Sequence, residues 1–155
     1  MGEFNNRYIS IHKEGSTYGN TTGGGTEVYG EIDNESVAHN YDLLTRQDMS
    51  RAIASKSVTG TEYSEGGFTL AAQLDPFLAN VLRAFFHDSC GSGDGRTHTF
   101  IEPAGEEVLP SFTIQVGREQ YEHTYTGMVG NTLSISASVG EYVMVSANFV
   151  GKSES

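Results

Sequence analysis

Much of the last third of the chain is written in period two. Leu133, Ile135 and Ala137 alternate with Ser134, Ser136 and Ser138, and Val143, Val145, Ala147 and Phe149 alternate with Met144, Ser146 and Asn148. Successive side chains on an extended backbone point to opposite faces, so such runs make strands with one apolar and one polar side. Phe112–Val116 alternates in the same way, and Tyr121–Met128 reads as a strand leading into a turn at Val129-Gly130-Asn131. Three or four antiparallel strands in a meander follow from this pattern. Alternation sends Leu133, Ile135, Val143, Val145 and Phe149 to the interior.

Earlier in the chain, Tyr8–His12 alternates as a short strand, Glu27–Ile32 forms another, and Phe68, Leu70, Ala72 and Leu74 share one face of a third. One segment breaks the β pattern. Asp75 is a good N-cap with Pro76 at the first helical position. Phe77, Val81 and Phe85 then fall four apart, as do Leu78, Leu82 and Phe86. This predicts a helix over about 75–87 with those six residues turned to the core, and with Asn80 and Arg83 on its solvent side. The fold class is therefore mainly β: an antiparallel β-sandwich or barrel with one flanking α-helix.

The remainder is polar. Gly, Ser and Thr number 19, 16 and 14. Residues 14–26 include three consecutive glycines and read as loop. Residues 33–65 read as a long loop-rich excursion, with weak helical character over 48–56. At 155 residues the chain suits one domain, 1–155, large enough to bury roughly two-thirds of its unfolded surface.

The net charge is −11, with eleven acids and five bases in residues 1–75 and nine and four in residues 76–155. No basic patch or arm breaks the acidic balance, which argues against tight binding of duplex nucleic acid, since phosphate neutralisation carries that affinity. Such a wall does suit DNA that slides past without sticking. The single Cys90 excludes an internal disulfide framework and a multi-cysteine zinc site. No apolar run approaches the ~20 residues of a membrane span, and the first residues lack a signal pattern.

Motifs for chemistry are missing. Neither Gly15–Gly25 nor Gly91–Gly95 carries a phosphate-loop or dinucleotide pattern. His87 and Cys90 supply two metal ligands where a structural zinc takes four. Ser92-Gly93-Asp94-Gly95 lacks the further acids of a calcium loop. No nucleophile elbow is present, and Glu106-Glu107 reads as a solvated turn. No catalytic residue, metal or cofactor is expected.

From Gly66 onward the order of segments resembles a known family. Gly66-Gly67-Phe68-Thr69-Leu70 precedes the helix, followed by Leu109-Pro110-Ser111-Phe112-Thr113-Ile114-Gln115-Val116-Gly117 and a terminal Gly140-Glu141-Tyr142-Val143 to Lys152-Ser153. These, with the opening Glu14-Gly15-Ser16-Thr17-Tyr18-Gly19, resemble the tail tube (major tail) proteins of long-tailed bacteriophages. The resemblance implies a structural virion protein, assembled in the host cytoplasm. Its subunits form homo-hexameric rings that stack into a hollow tube, alongside other tail proteins. DNA would meet it only in transit through the lumen, with no membrane binding. Ser134, Ser136, Ser138, Ser146 and Asn148 are the lumen-facing candidates, because their face is small, polar and free of cations. Two alternatives stand beside this reading: a carbohydrate- or surface-binding β-sandwich module using Tyr121, Tyr125 and Tyr142, and a tail terminator or tube-initiating protein of similar fold.

Overall fold

Strand follows strand in the computed structural model, which describes residues 7–22, 24–46, 56–90, 98–103, 105 and 108–154, with the backbone alone at 56, 87–90, 153 and 154. The elements run β1 (Tyr8–Lys13), β2 (Val28–Gly30), β3 (Asn34–Glu35), β4 (Ala38–Arg46), β5 (Lys56–Ala71), α1 (Pro76–Arg83), β6 (His87–Cys90), β7 (His98–Ile101), β8 (Phe112–Arg118), β9 (Tyr121–Ser136), β10 (Met144–Gly151) and β11 (Ser153–Glu154). Among the described residues nine strands join one antiparallel sheet in the order β2-β1-β8-β9-β10-β5-β3, with β11 on β9 and β4 on β5; β6 and β7 make a separate pair. The mainly-β expectation holds, as one curled sheet that forms a half-barrel with a single helix.

The curl is carried by β9. Its first half pairs with β8, up to Met128 opposite Phe112. Its second half pairs with β10, from Val129 opposite Val150 to Ser136 opposite Met144. Gly127 bends the strand at φ +67°, a conformation open to glycine at little steric cost. The turn expected at Val129-Gly130-Asn131 is instead continuous strand with a register shift opposite Asn148/Phe149. Gly130 is there for space: a Cβ on it would lie 2.6 Å from the Ala84 carbonyl and 2.8 Å from the Phe85 ring. The glycine makes room for the chain leaving the helix and makes no turn.

The core lies between the curled sheet and α1. Ile9, Ile11, Ile114 and Val116 close one side, while Phe68, Leu70, Val145, Ala147 and Phe149 close the other. Asp75 caps the helix, its Oδ1 accepting from the Leu78 amide at 2.8 Å. The helix ends at Arg83, short of the expected 87, and His87–Cys90 turns into strand opposite His98–Ile101. Phe77, Leu78 and Val81 are buried, and Leu82 and Phe85 pack half-buried against the core. Phe86 is half-buried beyond the helix end. Phe77 meets Phe68 with ring centroids 5.5 Å apart, and Phe85 meets Phe149 at 5.6 Å. Asn80 is not on the solvent side: it is 6% exposed, and its Oδ1 accepts from Arg83 at 3.1 Å.

Ile135 and Val143 also depart from expectation. They are 56% and 41% exposed, Ile135 on the apolar side of β9 and Val143 just ahead of β10. Phe77 on α1 sits over Phe68 and Phe85, just past the helix, over Phe149, so the sheet end beyond Leu133 is left uncovered. Alternation fixed the face, while burial depended on where the helix stops.

Candidate functional site

The polar face of β9, β10 and β5 forms registered rows. Ser134 stands opposite Ser146, Ser146 opposite Thr69, and Thr69 opposite Asn34. Thr69 Oγ1 donates to Ser146 Oγ at 3.5 Å. On one side lies the row Ser136, Met144 and Ala71; on the other, Thr132, Asn148 and Gly67. No charged residue stands in these three rows. Four of the five serine and asparagine candidates thus share this face. Ser138 does not join them, because it lies past β9 in the connection where its carbonyl accepts from Glu141. Thr69, Thr132 and Asn34 belong to the surface and were missed. Thr69 was visible as the polar partner of Phe68 and Leu70, but the pairing of its strand with β10 is not local information.

Residues 33–65 are expected to be loop-rich; the described ones, 33–46 and 56–65, are largely strand. β4 and the first half of β5 form an antiparallel ribbon from Ala38 opposite Glu65 to Arg46 opposite Lys56. Its root is buried at Val37 and Ser64, each 0% exposed. Beyond the root it stands clear of the core, and Tyr41, Leu43, Leu44 and Val58 are 58–64% exposed. With both faces wet, no period-two signal marks the ribbon in the sequence. The helical character expected over 48–56 falls on residues 48–55, outside the described ones, and on Lys56, the first residue of β5.

Two polar devices, one half-buried and one buried, hold these surfaces in place. Arg118 donates through Nε to Glu35 Oε1 at 2.9 Å and through Nη2 to Oε2 at 2.7 Å. The same nitrogen donates to the Val37 carbonyl, which also accepts from Tyr125 Oη. The root of the ribbon is thereby tied to β8 and β9. The hydrogen bonds from Arg118 hold the Glu35 carboxyl below the usual carboxylate range against the opposing effect of burial. The second device is Glu14, 3% exposed. Its carboxylate accepts from Gly19 N at 2.8 Å, Ser111 Oγ at 2.6 Å, Thr113 Oγ1 at 2.9 Å and Gly127 N at 2.7 Å. One side chain therefore anchors the 14–19 loop, the start of β8 and the bend of β9.

Among the described residues no three His, Cys, Asp or Glu side chains gather as a metal site. The His87 and Cys90 side chains, and the segment 92–95 weighed as a calcium loop, lie outside the described ones. No described helix is long and apolar enough to cross a membrane.

The family model that matches this chain places it among the structural proteins of phage tails. The chain belongs to the phage tail tube protein family, whose model matches residues 5–155. No curated protein matches it. Among solved structures it is similar to a chain of the cryo-EM structure of the anti-feeding prophage (AFP) baseplate, 6-fold symmetrised. That match has 6% identity and a TM-score of 0.52, over 100% of this chain and 94% of that one. A chain of the phage p2 baseplate in its activated conformation with Sr aligns at 9% identity and a TM-score of 0.44, over 94% of this chain and 43% of that one.

Proposed function

We propose that this chain is a single tail-tube domain over residues 1–155, a non-enzymatic subunit that polymerises into six-membered rings. The rings stack into the hollow tube through which DNA passes, and assembly takes place in the host cytoplasm beside other tail proteins. One observation carries the reading: three adjacent uncharged rows across β9, β10 and β5, set on a chain of net charge −11. Ser134, Ser136, Ser146 and Asn148, joined by Thr69 and Thr132, line the lumen in this reading. Hydroxyl and amide groups keep such a wall hydrated and offer phosphate no cation to hold. The exposed ribbon of β4 and β5 supplies contacts between copies, since a bare two-stranded ribbon is marginal in water. Shared strand edges would also leave fewer backbone groups unpaired. Electron microscopy of purified protein with mass measurement of isolated rings tests this. Six copies per ring and a hollow tube are expected. Persistent monomers, or rings of three or four copies, overturn it.

A further inference from the structure

The sheet changes course along one line. In β9 the register slips at Asn131, so that Gly130 stands opposite Phe149 and Thr132 opposite Asn148. In β5, Gly66 and Gly67 stand opposite the same two residues of β10. Gly66 lies at φ +133°, a region costly to any residue with a side chain, and a Cβ on it would overlap the Ser36 carbonyl. Next to them, Ser36 and Val37 interrupt the edge between β3 and β4. A cleft of about 370 Å³ follows this line, lined by Ser36, Asn40, Glu65, Asn131 and Asn148. The crease divides the subunit. On one side lies the wall with the three uncharged rows. On the other lie β1, β8, the first half of β9 and the root of the ribbon, where Ser64 and Glu65 pair with Gly151 and Val150.

We propose that this crease is a hinge between the wall that bears the hydroxyl rows and the part that bears the ribbon, and that Glu35 and Arg118 form the clasp that sets its angle. Glu35 stands on the wall, opposite Phe68. Arg118 stands on β8, and three strands lie between β8 and β3 in the sheet order. Their paired bonds at 2.9 and 2.7 Å therefore span the curl. Arg118 and Tyr125 also hold the Val37 carbonyl, at the end of the crease itself. Near its β9 end the line is pinned by Glu14 through Gly127. Between these grips, Gly66, Gly67 and Gly130 carry no side chain across the line. A few backbone torsions there absorb a change of angle, as hinge residues do. The proposal deepens the assembly reading above and rests on it for its use: the clasp fixes how the wall is presented as a ring closes.

The test uses the full-length protein carrying Cys90→Ser, with spin labels at Glu122→Cys and Ser134→Cys. Both positions are exposed, and they lie on β9 on opposite sides of the crease. Pulsed electron paramagnetic resonance reads their separation in free subunits. The labelled parent should give one narrow distribution. Arg118→Met and Glu35→Ala should each broaden it and shift it to longer separations, while circular dichroism stays at the parent's. Where Arg118→Met does not fold, Glu35→Ala carries the test alone. The same variants should need several-fold more protein to form tubes. A distribution that matches the parent's in the folded variants overturns the hinge, whatever the tubes do. A parent that never forms tubes overturns the assembly reading, and the distances still decide the hinge.

Discussion

Glu14 and Gly127 lie 113 residues apart and meet through a 2.7 Å hydrogen bond from the Gly127 amide to the Glu14 carboxylate. The bond falls where β9 turns from its β8 partner to its β10 partner, so the bend of the sheet is held from outside the strand. Glu14→Ala leaves two backbone amides and two hydroxyls without their acceptor. Each buried donor left unsatisfied costs about 1–3 kcal/mol. Because the hydroxyls can turn elsewhere, a total loss of about 2–4 kcal/mol is expected in chemical denaturation. Glu14→Gln keeps one acceptor and should lose less. An alanine variant within about 0.5 kcal/mol of wild type would show that the bend holds itself.

The helix yields a graded pair. Phe77 is 1% exposed and meets Phe68; Phe77→Ala should cost about 3–5 kcal/mol. Phe85 is only half-buried, and Phe85→Ala should cost about 1–3 kcal/mol, in proportion to the smaller area returned to water. Urea unfolding of both variants checks the order, and equal losses would contradict the half-burial of Phe85.

Gly130→Ala isolates the helix–strand approach. The added methyl meets the Ala84 carbonyl at 2.6 Å, so α1 must shift, at about 1–3 kcal/mol, as overpacking usually costs. Urea unfolding should show that loss. A neutral or stabilising result would mean that the helix end moves freely.

The Glu35–Arg118 pair gives a pH dependence of known sign. The folded carboxyl titrates below its ordinary range, so the unfolded state binds its proton first as pH falls. The contribution is complete above the unfolded pKa and is lost as pH drops through the folded one. With Glu35 24% and Arg118 35% exposed, it amounts to about 1 kcal/mol. Wild type should exceed Glu35→Gln in stability at pH 7, and the gap should close under acid conditions. A gap unchanged from pH 7 to below the ordinary carboxylate range would contradict this account.

Ser134→Lys places one cation per subunit in the centre of the hydroxyl rows. If that face lines the lumen, the variant should assemble normally while genome passage slows, most strongly at low salt, where counterion release makes phosphate contacts tightest. Passage at the wild-type rate in low salt argues that the face lies elsewhere.

The sequence disclosed strands and helix wherever burial was one-sided. Phe68, Leu70, Val145, Ala147 and Phe149 alternate because one face of their strands is buried in the core, and Phe77, Leu78 and Val81 repeat because one stripe of the helix is. The ribbon of β4 and β5 escaped because both of its faces are wet, so Leu43 and Leu44 can stand side by side. Glu14 resembled any surface acid, since Ser111, Thr113 and Gly127 reach it only after the sheet has curled. On the polar face, Ser134 and Ser146 were readable as strand positions. Thr69 and Asn34 became their neighbours only through pairings set by the whole topology.

One strand, β5, runs from the exposed ribbon into the main sheet, where it pairs with β10 over Ser64–Ala71. A pull on the ribbon along β5 therefore acts parallel to that ladder. The hydrogen bonds between Ser64–Ala71 and Met144–Gly151 are then strained together in shear instead of peeling one after another. Tension entering at the ribbon is spread over the whole ladder, and the subunit resists it as a cemented lap joint does.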